Sequence, residues 1–189
     1  MNPKSKSQTV EIEIDDGVAE LRPVLSSDAP LLEEAWMGLS ADTRYARFGF
    51  GIDHLTNQEL KYLTDVDQRR HVAIGALIDG EAAGIGRYVQ VEGSDCAEVA
   101  LTVVDRFQQR GLGRELFKAL VAVARHDGVD AFCFEVAPSN EAVKSLIERL
   151  IPVEPESMPS GGRVQVASLP AGEHEQRIVD LMEWYRATG

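Results

Sequence analysis

The sequence predicts an α/β (α+β) fold, a central mixed, mostly antiparallel twisted sheet flanked by helices, and three observations carry that expectation. His71–Asp79 and Ala82–Val91 are strand-like apolar runs around Asp79-Gly80, a dipeptide that closes tight hairpins, and Cys96–Val104 adds a third strand to the meander. The third strand then runs through a glycine-spaced loop into a helix whose apolar positions, Leu116, Phe117, Leu120, Val121 and Ala124, share one side. Asp130–Val136 follows as another buried strand, and the intervening helix is the crossover that lets it lie parallel to its predecessor.

The remaining elements follow in chain order. The first ten residues are polar and read as frayed, and residues 1–16 as a flexible N-terminus. Val18–Val24 alternates as a first strand, ended by Ser26, Ser27 and Asp28. Ser27 or Asp28 caps a helix with Pro30 in its first turn, and Leu31, Leu32, Ala35, Trp36 and Leu39 form its apolar stripe. A second helical segment starts near Ser40 or Asp42 and carries Arg44, Tyr45, Arg47 and Phe48; Asn57–Leu63 is a short helix with Leu60 and Leu63 inward. Gly84 and Gly86 lie inside a strand with no helix after them, which points to a bulge or close packing. Beyond Pro138-Ser139-Asn140 the pattern predicts a helix over Glu141–Leu150, a turn-rich stretch, a last strand over Arg163–Leu169 and a C-terminal helix within 170–189 that caps the sheet or meets a second copy. The 189 residues are enough for one domain with a substantial core.

Charge and composition narrow the partners. A net charge of −12 argues against nucleic-acid binding, which needs a basic face, and suits a cationic substrate. Cys96 and Cys133 stand in separate apolar runs without metal-ligand spacing, so they are expected to be reduced core residues of a cytoplasmic protein that binds no metal. No apolar run approaches the ~20 residues that cross a bilayer, so no membrane is expected as a partner.

The loop Gln108-Gln109-Arg110-Gly111-Leu112-Gly113 identifies a ligand class. A helix start offers backbone N–H groups without intrahelical partners and a partial positive charge, and glycines let a phosphate come close to them. The loop therefore reads as a diphosphate cradle. A dinucleotide fingerprint would need a glycine where Leu116 stands, and a P-loop would need Lys-Ser/Thr where Arg114-Glu115 stand. The six residues instead match the Gln/Arg-x-x-Gly-x-Gly/Ala signature of the GNAT superfamily of acetyl-CoA-dependent N-acyltransferases, and the match extends upstream through Leu101-x-Val103.

The resemblance to that family implies a GNAT fold with acetyl-CoA at a splay between the two central strands. It implies cofactor contacts from Leu101, Val103, Gln108, Gln109, Arg110, Gly111, Leu112, Gly113, Arg114 and Asn140, the first two through backbone groups that pair with the pantetheine arm, with Arg106 and Lys118 as further cations near the phosphates. Glu98, ten residues ahead of Gln108, stands where bacterial protein-lysine acetyltransferases place a strand glutamate, and is the candidate general base. Leu21-Arg22-Pro23, Thr43-Arg44-Tyr45-x-Arg47-Phe48 and Leu63-Thr64-x-Val66-Asp67 resemble the same subgroup, over roughly residues 18–150. The family's thiolate-protonating tyrosine, seven residues after the asparagine, is replaced by Ile147. The resemblance thus implies acetyl transfer to an amine, a protein lysine first, a small amine second; a non-catalytic acyl-CoA sensor is the reading that Ile147 leaves open. The regulatory nucleotide-binding domain fused in some of those enzymes has no room here, so such regulation would call for a separate partner.

Overall fold

Alternating apolar residues and hairpin turns generate a seven-stranded sheet in the order β1-β2-β3-β4-β5-β6-β7. A computed structural model describes residues 8–48, 53–94, 96–135, 149–150, 161–170 and 172–188. Among them the strands are β1 (Val10–Ile14), β2 (Gly17–Pro23), β3 (His71–Ile78), β4 (Glu81–Gln90), β5 (Ala97–Val103), β6 (Ala131–Glu135) and β7 (Gly161–Gln165). The helices are α1 (Ala29–Met37), α2 (Ala41–Phe48), α3 (Asn57–Thr64), α4 (Leu112–His126) and α5 (Glu175–Thr188). The helix expected over Glu141–Leu150 and the turn-rich stretch after it lie mostly outside the described residues.

Every neighbouring pair of strands is antiparallel except β5 with β6, which follow one another through α4 and pair in parallel. Asp79 (φ 53°) and Gly80 (φ 80°) both adopt the left-handed conformation that a tight β3–β4 hairpin demands. Two expectations are corrected. Val10–Ile14 does not belong to a flexible terminus: it is an edge strand whose Val10, Ile12 and Ile14 are buried while Glu11 and Glu13 face out. Its strict alternation and the Asp15-Asp16-Gly17 turn after it are signals of a hairpin. The last strand is also shorter than Arg163–Leu169, because Val166–Ser168 curl into a 3-10 turn.

The cysteine expectation is overturned as well. Parallel pairing sets Ala97 against Phe132 and Glu98 against Cys133, which brings the Cys96 and Cys133 Cα atoms to 5.7 Å, and the two residues form a disulfide. Adjacency in the sheet, invisible in two separate sequence runs, makes the bond.

The core lies on both faces of the sheet. On one, α4 packs Leu116 and Leu120 beneath β4, where Gly84 and Gly86 make room: a Cβ at Gly84 would stand 3.2 Å from Leu116, and one at Gly86 3.1 Å from Leu120. Helix α5 covers the same side, contacting α4 and β2 and burying Ile178, Leu181 and Met182, so it caps the sheet. A polar network closes this layer. Tyr88 Oη donates to Asp127 (2.9 Å), Arg186 grips both Asp127 oxygens (2.8 and 2.6 Å), and Arg186 Nε donates to the Gln68 carbonyl (2.7 Å). On the other face, α1 and α3 pack Trp36, Leu60 and Leu63 inward.

Candidate active site

The glycine loop carries the backbone geometry that an anion cradle needs. Gln109 (φ 59°) and Gly111 (φ 80°) are both left-handed, and such changes of hand gather backbone N–H groups on one side. Helix α4 begins at Leu112, two residues before Arg114, and its first amide bonds run from Arg114 and Glu115 to the Gly111 carbonyl (3.0 and 3.2 Å). The amides ahead of them stand at the positive end of a 15-residue helix.

Strand β5 provides the second half. Val104 donates its backbone N–H to Ala83 of β4 (2.9 Å), so by the alternation of a strand Thr102 and Ala100 also direct their backbone polar groups at β4, while Leu101 and Val103 direct theirs to the opposite side. There, among the described residues, β6 pairs with β5 only at Ala97 and Glu98; Phe134 and Glu135 pair with β7 and not with β5. Among the described residues the two parallel strands thus part after Glu98 and Cys133, and β5 runs on through Leu101 and Val103 to the glycine loop. Gln108 bridges the two parts, its side-chain amide donating to the Val103 carbonyl (3.0 Å). Asp105 ties the loop to α2 by accepting from the Ser40 N–H and the Thr43 hydroxyl, both at 3.0 Å. Burial raises the Asp105 pKa, but the Ser40 and Thr43 donors outweigh it and hold it below the ordinary value.

The cations expected at the phosphates are held by acids. Arg110 pairs with Asp16, Arg114 with Glu115 (2.8 Å) and Asp15 (3.2 Å), and Lys118 with Glu115 (3.0 Å). The β1–β2 turn is seated on the loop: Asp15 N–H donates to the Arg110 carbonyl (3.0 Å), and a Cβ on Gly111 would meet Asp15 Oδ1 at 2.9 Å. Arg106 pairs with Glu81 and stacks on Phe107 at 4.7 Å. Sequence patterns did not reveal Asp15 and Asp16 as neighbours of this loop, because 94 or more residues separate them from the arginines they pair with. Leu112 is wholly buried, so only its backbone faces the loop. Asn140 and Ile147 lie outside the described residues.

Glu98 is exposed near the start of β5, on the face turned away from α4. Val89 pairs with it and Arg87 with Ala100, so Glu98 and Arg87 are diagonal neighbours on that face. Below them a cavity of about 70 Å³ opens between α1, α3 and the β4–β5 pair, walled by Trp36, Leu39, Leu63, Ile85 and Thr102, with Arg87 its charged member. Arg87 was not among the expected site residues, although an arginine inside Ala82-Ala-Gly-Ile-Gly-Arg-Tyr-Val is a visible break in an apolar run. Among the described residues His126, Asp127 and Glu183 bring three possible metal-ligand atoms within 4.8 Å of one another, but Arg186 donates to both carboxylates, which makes the group an ion-pair network.

Residues 34–150 match the model of the Acetyltransferase (GNAT) family. The chain belongs to the GNAT acetyltransferase family. Among its GNAT relatives, Acetyltransferase Pat of Mycolicibacterium smegmatis is 36% identical over 136 residues, which span 69% of this chain and 40% of that protein. Acetyltransferase PA5475 of Pseudomonas aeruginosa is 32% identical over 138 residues, 70% of this chain and 74% of its own length. Of solved GNAT structures, the GNAT domain of S. lividans PAT superimposes with a TM-score of 0.76 at 25% identity, covering 83% of this chain and 96% of that one. A cAMP-binding acyltransferase from Mycobacterium smegmatis gives 0.65 at 27% identity, covering 93% of this chain and 54% of that one. The chain spans less than two thirds of the length of Acetyltransferase Pat and of the cAMP-binding acyltransferase. No described helix is long and apolar enough to cross a membrane.

Proposed function

We propose that the chain transfers an acetyl group from acetyl-CoA to an amine, with a protein lysine as acceptor and Glu98 as general base. One observation carries the reading: among the described residues β5 parts from β6 after Glu98, and the backbone groups that Leu101 and Val103 direct away from β4 lead on to the glycine loop at the start of α4. A pantetheine arm carries amides that pair with a strand edge, and its diphosphate is an anion suited to the amides from Gln108 to Arg114. In this reading Arg110 and Arg114 exchange Asp16 and Asp15 for phosphate oxygens. Glu98 takes the proton the attacking amine loses as its nitrogen bonds the thioester carbon and the carbon–sulfur bond breaks; the thiolate then takes a proton from water, its pKa being near that of a free thiol. A cytoplasmic location is part of the proposal, and the Cys96–Cys133 disulfide bears against it.

Titration calorimetry with acetyl-CoA, CoA, NAD and ATP, followed by acetyl transfer to a peptide library and an amine panel, tests the reading. CoA and acetyl-CoA are expected to bind and the others not to. Glu98→Gln is expected to lower kcat by roughly 10²–10⁴-fold with acetyl-CoA affinity unchanged. Unchanged turnover in that variant removes Glu98 as base, and binding without turnover of any acceptor favours an acyl-CoA sensor.

A further inference from the structure

Among the described residues two buried side-chain nitrogens have no hydrogen-bond partner, His71 Nε2 and Arg87 Nη1, and they belong to neighbours. In the β3–β4 register Ala73 faces Arg87 and His71 faces Val89, so His71 and Arg87 stand one diagonal step apart on the face that carries Glu98. Tyr62 of α3 holds them together: the Arg87 guanidinium lies 5.0 Å from its ring centroid and the His71 ring 5.2 Å. Buried polar groups are almost always satisfied; the Arg87 nitrogen can only donate, and with the His71 proton on Nε2 the two adjacent groups beside an apolar cavity share a need for one acceptor of hydrogen bonds. A guanidinium and an imidazole side by side suit the two oxygens of a carboxylate.

We propose that Arg87 and His71 form a carboxylate subsite on the acceptor side of the active site, so that the amine to be acetylated is presented by a molecule carrying a carboxylate close to it and an apolar stem that enters the cavity under α1. The inference rests on the proposed function in one respect, that the face bearing Glu98 is the one the acceptor approaches. Burial and the Arg87 charge hold the His71 pKa below its ordinary value against the opposing effect of Asp67, and burial does the same to Arg87 against the opposing effects of Tyr62 and Glu98. The Arg87 charge is thus under-compensated by this chain; an incoming carboxylate supplies that compensation and accepts from the neutral His71 ring in its Nε2–H tautomer. The walls besides Arg87, among them Trp36, Leu39, Leu63 and Ile85, carry no carboxylate to pair with a second amine, which favours a short apolar stem over a polyamine.

Hexanoate and hexanamide, a carboxylate and its neutral counterpart on one stem, are titrated into the chain with and without CoA while the His71 ring signals are followed by NMR. Hexanoate is expected to bind about 10- to 100-fold tighter than hexanamide and to move those signals, and Arg87→Gln is expected to remove the difference while its melting stays cooperative. Equal binding of the two probes, or a preference that survives in Arg87→Gln, overturns the inference. Acetyl transfer then distinguishes the source. A preference for leucine over leucinamide assigns the carboxylate to a free amino acid, and one for lysine peptides flanked by Glu over Gln assigns it to a neighbouring side chain. An Arg87-dependent preference for succinyl-CoA over acetyl-CoA puts the carboxylate on the acyl group and overturns the acceptor assignment. Failure of acetyl-CoA to bind removes the proposed function instead, and the two probes still report on the subsite.

Discussion

Tyr88 and Arg87 are consecutive residues of β4 and project to opposite faces, yet their surroundings differ completely. Tyr88 points toward α4 and finishes in a closed circuit, its hydroxyl on Asp127 and Asp127 clamped by Arg186, whose side chain is only 7% exposed. Arg87 points toward α1 and α3 and reaches an apolar cavity with one nitrogen unmatched. A saturated network holds elements in place: it joins the C-terminal helix, the end of α4 and the middle of the sheet. An unsaturated one beside a cavity costs stability that a ligand returns. The two sides of one strand thus divide structure from recognition.

The largest expected effect is on the closed side. Arg186→Ala leaves Asp127 and Tyr88 buried without their cation, and is expected to cost about 3 kcal/mol in urea unfolding, at the lower end for broken buried pairs, with acetyl-CoA affinity unchanged in the variant that remains folded. A loss under about 1 kcal/mol would make the network incidental. Tyr88→Phe removes one donor of several on Asp127 and should cost about 1 kcal/mol by the same measurement. On the open side the sign reverses. Arg87→Met replaces an unmatched buried nitrogen with a group that fits an apolar wall, and is expected to stabilise the chain by about 0.5–1 kcal/mol, since losing the Tyr62 ring contact offsets part of the gain. Destabilisation by Arg87→Met as large as that of Arg186→Ala would erase the contrast between the faces.

Acid should separate the faces too. The His71 pKa is lowered in the fold by burial first and the Arg87 charge second, so the unfolded chain binds its proton more readily and stability falls as pH drops below about 6.5. The Asp127 pKa is also lowered in the fold, Arg186, His126 and Tyr88 outweighing the burial that raises it, so its contribution is present above about pH 3.9 and lost as pH falls through the folded value. Urea midpoints measured from pH 8 to pH 3 are expected to decline in two stages. Arg87→Met should shrink the first and Asp127→Asn the second; a single decline unaffected by Arg87→Met removes His71 from the account.

Much of this structure is written in short local patterns of the sequence. The Asp79-Gly80 hairpin, the apolar stripe of α4 and the glycine loop are local patterns, each set by residues within a few positions of one another, and the family signature rests on the same short stretch. Val10–Ile14 was legible in the same way, since its alternation of Val, Glu and Ile is as regular as that of any strand here, and only its place near a polar terminus disguised it.

The rest depended on meetings between distant parts of the chain. Cys96 joins Cys133 across 37 residues because two strands happen to run side by side, and Asp15 and Asp16 reach Arg114 and Arg110 because the β1–β2 turn folds onto the glycine loop. Local order follows from backbone sterics and from the period of apolar side chains, which neighbouring residues already specify. Whether a buried nitrogen finds a partner is a property of three-dimensional packing. The period of β4 places Arg87 on the face opposite Tyr88, and only the arrangement of α1, α3 and β3 around it leaves that nitrogen unmatched.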